Sequence, residues 1–73
     1  MDVVASMEDL SAAEKAVVKA VADALLQREI AMDLGDDPTY LEKDLRYFRE
    51  QFPKAFRLGE RRALELIGYY KEF

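Results

Sequence analysis

The densest group of carboxylates in the chain is Asp33, Asp36 and Asp37, with Glu42 beyond them, and oxygen clusters of this kind are what a hard cation such as Ca²⁺ takes as ligands. A calcium loop places ligands at its first, third and fifth positions ahead of a glycine, whereas here Gly35 falls between the acids and Pro38 follows them. Their places suit the capping of helix ends instead, where carboxylates satisfy free backbone amides, and no metal or cofactor is expected. Nucleophilic and acid–base chemistry has as little to work with. The chain has no His and no Cys, and its aliphatic hydroxyls are Ser6, Ser11 and Thr39, so no nucleophile can be paired with an imidazole base. Ser11 and Thr39 also stand where helix-start residues belong. The chain is expected not to be an enzyme and to have no small-molecule substrate.

What remains is the chemistry of binding. Lys54-Ala-Phe-Arg-Leu-Gly-Glu-Arg-Arg62 holds four basic residues and one acid around Phe56 and Leu58. Lys54, Arg57, Arg61 and Arg62 form the candidate anion-binding patch, facing phosphate, a partner's carboxylates or the acidic first part of the chain itself. Tyr47, Tyr69 and Tyr70 fall at the edges of apolar stripes, and tyrosine beside arginine is the composition of binding hot spots.

Charge and size set the frame for such binding. Residues 1–37 carry a net −6 and residues 38–73 a net +2. The whole is acidic, which disfavours non-specific attraction to nucleic acid or anionic lipid, while the second half keeps a local basic surface. With 73 residues and no cysteine, the chain has a thin core and no disulfide to support it, so a homodimer or a protein partner is the expected further source of stability. The apolar share of 51% and charged share of 36% are those of a folded domain. No run approaches the 18 or so apolar residues that cross a bilayer and the N-terminus has no basic region, so the reading is a cytoplasmic protein with no membrane contact.

The elements that carry these residues read as helices throughout. Residues 1–10 show no clear period, with Ser6 to Asp9 suited to a short turn, and form an N-terminal arm; residues 11–73 form a single helical domain. Ser11-Ala-Ala-Glu14 is a capping-box pattern that opens a helix. Val17, Val18, Val21, Ala24 and Leu25 lie on one face of it. After Leu25 the phase changes: Leu26, Ile30 and Leu34 lie opposite Val17. Either the helix splits near residue 26 or one long helix carries two stripes, and the absence of Gly or Pro there favours the long helix. Gly35 ends it, and Asp37-Pro38 reads as a cap followed by a first-turn proline. Leu41, Leu45, Phe48 and Phe52 stripe the next helix, which Pro53 ends. Residues 53–59 read as a connector anchored by Phe56 and Leu58. A last helix from about Glu60 carries Ala63, Leu66, Ile67, Tyr70 and Phe73 on one side. No β-alternation is present. The expected architecture is all-α, a compact bundle of three main helices over residues 11–34, 38–52 and 60–72.

Leu10-Ser11, Glu14, Val17, Ala22 and Leu25, followed by Glu29-Ile30-Ala31 and Leu34-Gly35, make residues 10–45 resemble the helix-turn-helix core of LuxR- or GerE-type DNA-binding domains. The resemblance implies that Glu29-Ile30-Ala31 lies on the helix before the turn, that Gly35 is the turn, and that the following helix reads DNA. The sequence departs from the pattern at Ala24-Leu25-Leu26, at Asp36, and in that following helix, which opens Asp37-Pro38-Thr39-Tyr40 and whose charges cancel. A groove-reading helix offers basic or amide side chains near its N-terminus, not acids.

The leading expectation is thus a small protein-binding regulator or adaptor. Its contact surface would use Leu26, Ile30 and Leu34 with Tyr69 and Tyr70. The alternative is a helix-turn-helix DNA-binding regulator using residues 27–52 and the arginine patch.

Overall fold

The computed structural model describes residues 10–72, which form three helices, α1 (Ala12–Asp33), α2 (Thr39–Gln51) and α3 (Pro53–Lys71). Among the described residues there is no strand. The arm before Leu10, and Phe73, lie outside the described residues, and with them the turn expected at Ser6 to Asp9.

The start of α1 is the capping box foreseen from its sequence: the Glu14 amide donates to the Ser11 hydroxyl at 3.1 Å and the Ser11 amide donates to Glu14 Oε1 at 3.0 Å. Each bond satisfies an amide that the first turn leaves without a helical acceptor. The helix then runs unbroken to Asp33, so the alternative of a split near residue 26 is set aside. The physical reason is that both apolar stripes are at least partly covered as far as Ile30, and only the last member of the second, Leu34, stands exposed. Val17, Val18, Val21, Ala22 and Ala31 are buried, and Leu25, Leu26 and Ile30 are half-buried, so the change of phase is accommodated without a break.

At the end of α1 the Asp36 amide reaches Ala31 O at 2.8 Å and the Gly35 amide reaches Met32 O at 3.1 Å. Gly35 has φ +78°, the left-handed residue that this pair of bonds requires. Asp37 then accepts from the Thr39 amide at 3.0 Å and from the Thr39 hydroxyl; α2 starts one residue later than the sequence implied, at Thr39, with Pro38 rather than Asp37 in the cap position.

The largest correction concerns residues 53–59. They are helix, not connector, and α3 begins at Pro53. Phe52, at φ −136° and ψ 65°, is the single non-helical residue between α2 and α3. Proline disfavours helix at the residue before it, yet its own fixed φ and missing amide suit a first helical position. Its amide-free nitrogen therefore ends one helix and starts the next. The buried residues of α3 are Ala55, Gly59 and Ala63, spaced by four, a seam of small side chains that brings the two backbones close.

Three pairings fix the direction of packing. Lys54 lies near enough to Glu14 to act on its charge, Gly59 lies against Val21, and Lys71 Nζ is 2.7 Å from Glu29 Oε1. The two series rise together, so α1 and α3 run parallel and in direct contact, with α2 running back alongside the pair. The core is Leu10, Val17, Val18, Val21, Leu45 and Ala55, flanked by half-buried Leu25, Leu41, Phe48, Phe52, Phe56 and Leu58. Leu10, placed by its sequence in the arm, is part of this core. Val21 has no solvent exposure at all, and burying a valine contributes about 1.5–3 kcal/mol.

Candidate interaction surfaces

Among the grooves that flank the packed helices, two hold the candidate basic residues Arg57, Arg61 and Arg62. The first lies between α1 and α3, with a volume of about 610 Å³. Residues 15, 18, 19, 22 and 23 of α1 line one wall and residues 58, 61, 62, 65 and 66 of α3 the other. Both sets have the i, i+3, i+4, i+7, i+8 spacing that presents one helix face. Val18, Ala22, Leu58 and Leu66 form its apolar floor, while Lys15, Lys19, Arg61 and Arg62 with Asp23 and Glu65 form its rim. Arg62 pairs with Glu65 at 2.9 Å, an exposed pair of the kind that contributes little to stability.

The second groove, about 430 Å³, is lined by all three helices. Arg28, Arg46, Arg49 and Arg57 converge on it, joined by Glu42 and Glu60 over Leu25, Leu45 and Phe56. Arg28 is held across it by Glu42 at 3.1 Å. The charged residues that α2 contributes, Glu42, Arg46 and Arg49, follow one another by four and three, which places them on one side of the helix.

The anion-binding patch expected from the sequence is therefore divided. Arg57 faces the three-helix groove, Arg61 and Arg62 face the α1/α3 groove, and Lys54 stands near Glu14. The basic residues that share a groove with Arg57 come from α1 and α2, and no local run of sequence connects them. Their one legible signal is the spacing of Arg46 and Arg49 on α2.

The expected partner surface is also distributed. Leu26 follows Ala22 by four residues and Val18 by eight, so it continues the α1 wall of the first groove. Tyr69 follows Leu66 by three and continues the α3 wall, and it is 62% exposed. Ile30 is half-buried one turn beyond Leu26. Tyr70 turns toward α1, where partial burial and a hydrogen bond with Asp33 push its hydroxyl above the usual range. Leu34 is at the far end of α1 and is 71% exposed. Met32 and Tyr40 are exposed at this same end, where α1 finishes and α2 begins.

No family model, no curated protein and no solved structure matches this chain. The surfaces themselves carry the functional argument.

The electrostatics around them are local. Hydrogen bonds from the Ser11 amide and hydroxyl hold the Glu14 carboxyl below its ordinary range, with a smaller contribution from Lys54. Bonding to Glu29 raises Lys71. Among the described residues no group of three or more acidic side chains is arranged to hold a metal ion. No helix of the described residues is long and apolar enough to cross a membrane.

Proposed function

We propose that this chain is a non-enzymatic protein-binding module that acts through the α1/α3 face. The observation that carries the reading is the first groove. Two parallel helices present an open apolar floor with charged rims on both sides, the form of surface that receives an amphipathic helix. Leu26 and Tyr69 extend it, and tyrosine and arginine at such a face are the residue types that dominate binding energy. The regulatory or adaptor role expected from the sequence follows from a protein whose business is contact.

A photo-crosslinking phenylalanine analogue at position 66, in the groove, tests the reading against the same analogue at position 43 on the exposed side of α2. Discrete protein adducts from position 66 in cells, and none from position 43, are the expected result. Absence of adducts from position 66 contradicts it.

One observation favours a second reading, the helix-turn-helix regulator that binds DNA. Arg46 and Arg49 of α2, the helix after the Gly35 turn, converge with Arg28 and Arg57 on one groove, and phosphate contacts are made by such clusters. Glu42 and Asp44 in the first half of α2 and the net charge of −4 oppose it. Gel retardation of random duplex that weakens steeply with salt would decide for DNA.

A further inference from the structure

Four guanidinium groups line the groove of about 430 Å³ that all three helices share: Arg28 from α1, Arg46 and Arg49 from α2, and Arg57 from α3. Among the described residues the carboxylates of this groove are Glu42 and Glu60, so its lining carries a net +2 in a chain whose net charge is −4. The six charges are not equally engaged. Arg28 is held by Glu42 at 3.1 Å, and Arg57 has an interaction of its own. Arg46 and Arg49 are exposed, and among the described residues neither has a carboxylate within salt-bridge distance. They stand three residues apart, which puts both on one side of α2. The apolar residues of the same groove include Leu25 and Phe56, both half-buried.

We propose that this groove binds a phosphotyrosine side chain of a protein partner, with the phosphate on Arg46 and Arg49 and the ring against Leu25 and Phe56. Charge selects the anion. A phosphate monoester carries about −1.5 to −2 at pH 7 and three acceptor oxygens, which matches the net charge of the lining; a carboxylate brings a single charge. Guanidinium groups are weakly hydrated and present paired N–H donors that fit phosphate oxygens. The two glutamates select against a polyanion. A duplex carries one charge about every 1.7 Å of its axis, and phosphates beside the bound one would face Glu42 and Glu60. The apolar residues select the ring. The groove has room for more than a phosphate group, and an aromatic ring carrying the phosphate removes the free faces of Leu25 and Phe56 from water, where a phosphoserine would leave them wet. Arginine clusters are a recurrent means of recognising phosphorylated motifs.

That a protein carries the phosphate rests on the protein-binding reading, but the groove is a different one, and the test keeps the two apart. The full chain is titrated with N-acetyl-phosphotyrosine amide, followed by calorimetry and by the side-chain N–H resonances of its arginines. Saturable binding that moves the Arg46 and Arg49 resonances is expected. Arg46→Gln with Arg49→Gln should weaken it by about tenfold or more, while Arg61→Gln with Arg62→Gln in the α1/α3 groove should leave it unchanged. Glu42→Gln, which releases Arg28 and removes one of the two negative charges, should tighten it. All the substituted residues are exposed, and circular dichroism verifies that each variant is folded. N-acetyl-phosphoserine amide and inorganic phosphate should bind about tenfold more weakly, for want of the ring. The proposal is overturned by the absence of saturable binding, by an Arg46 and Arg49 variant that binds like the parent, or by a loss confined to the Arg61 and Arg62 variant. Inorganic phosphate that binds as tightly as the probe would reduce the groove to a simple anion site, and displacement of the probe by a short duplex would assign it to DNA; either outcome overturns it too. Adducts at position 66 in a chain that does not bind the probe would leave the protein-binding reading standing while the phosphotyrosine site falls.

Discussion

Gly59 of α3 packs so closely on Val21 of α1 that a methyl group at position 59 would stand 2.6 Å from Val21 Cβ and Cγ1, and 3.0 Å from the Val18 carbonyl oxygen. Neither neighbour is the free end of a flexible chain, so the helices would have to separate. Gly59→Ala is therefore expected to destabilise by about 1–3 kcal/mol through overpacking, although alanine favours helix by about 1 kcal/mol over glycine. Gly68, on the same helix, has nothing within 4 Å of the place a methyl group would take. Gly68→Ala is expected to raise the melting temperature, by up to about 1 kcal/mol in stability. Thermal melts of the two variants should shift in opposite directions; a stabilised Gly59→Ala would mean that α1 and α3 do not cross there.

Gly35→Val tests the other glycine with a backbone task. At φ +78° a β-branched residue is strained, costing about 1–2 kcal/mol or more. The variant should melt several degrees below the parent, while an unchanged melt would place the turn elsewhere.

The stability of the fold should fall at both extremes of pH. Glu14 and Asp37 are depressed below their ordinary values of 4.5 and 3.8, by bonds from Ser11 and Thr39 respectively. A depressed carboxylate contributes stability that is complete above its unfolded pKa and is lost as pH falls through the folded one. Lys71 and Tyr70 are raised above 10.5 and 10.0, so their contribution is complete below those values and lost as pH rises through the folded ones. Melting temperature against pH should be level around neutrality and drop below about pH 4.5 and above about pH 10. Ser11→Ala removes the cap hydroxyl but keeps the amide that bonds the Glu14 carboxylate, and should cost about 1 kcal/mol near neutrality, whereas Glu14→Gln, which removes the titrating group, should flatten the acid limb. An acid limb that keeps its slope in Glu14→Gln would contradict the assignment to Glu14.

Val21→Glu and Ile30→Glu separate core from surface on one helix. Val21 is wholly enclosed, and an uncompensated charge there is expected to unfold the chain. Ile30 is half-buried and outside the residues that pack on the core, so its variant should keep its helicity and lose self-association or partner binding. An Ile30→Glu chain that unfolds outright, in a parent that is monomeric, would show that this side of α1 is internal.

The local signals determined what lies within a few residues of each other. Ser11 with Glu14 gave the start of α1, Gly35 its end, and Asp37 with Pro38 the entry to α2, because each is a bond or a dihedral angle formed by neighbours in the chain. Leu41, Leu45, Phe48 and Phe52 showed the buried side of α2 because large apolar side chains make a visible stripe. The same reasoning passed over residues 53–59, where the buried positions Ala55 and Gly59 are small. Small residues are a weak apolar signal, yet they are what two helices need in order to approach closely. Their value depends on Val21 being across from them, which is a property of two elements and not of either one. The grooves follow the same rule. Lys15, Lys19, Arg61 and Arg62 share a rim, and Arg28 meets Arg46, Arg49 and Arg57, only because α3 runs parallel to α1 and α2 runs back alongside the pair. The sequence by itself determined the helices and their charges; the tertiary structure alone decided which charges face one another, because that depends on packing between segments far apart in the chain.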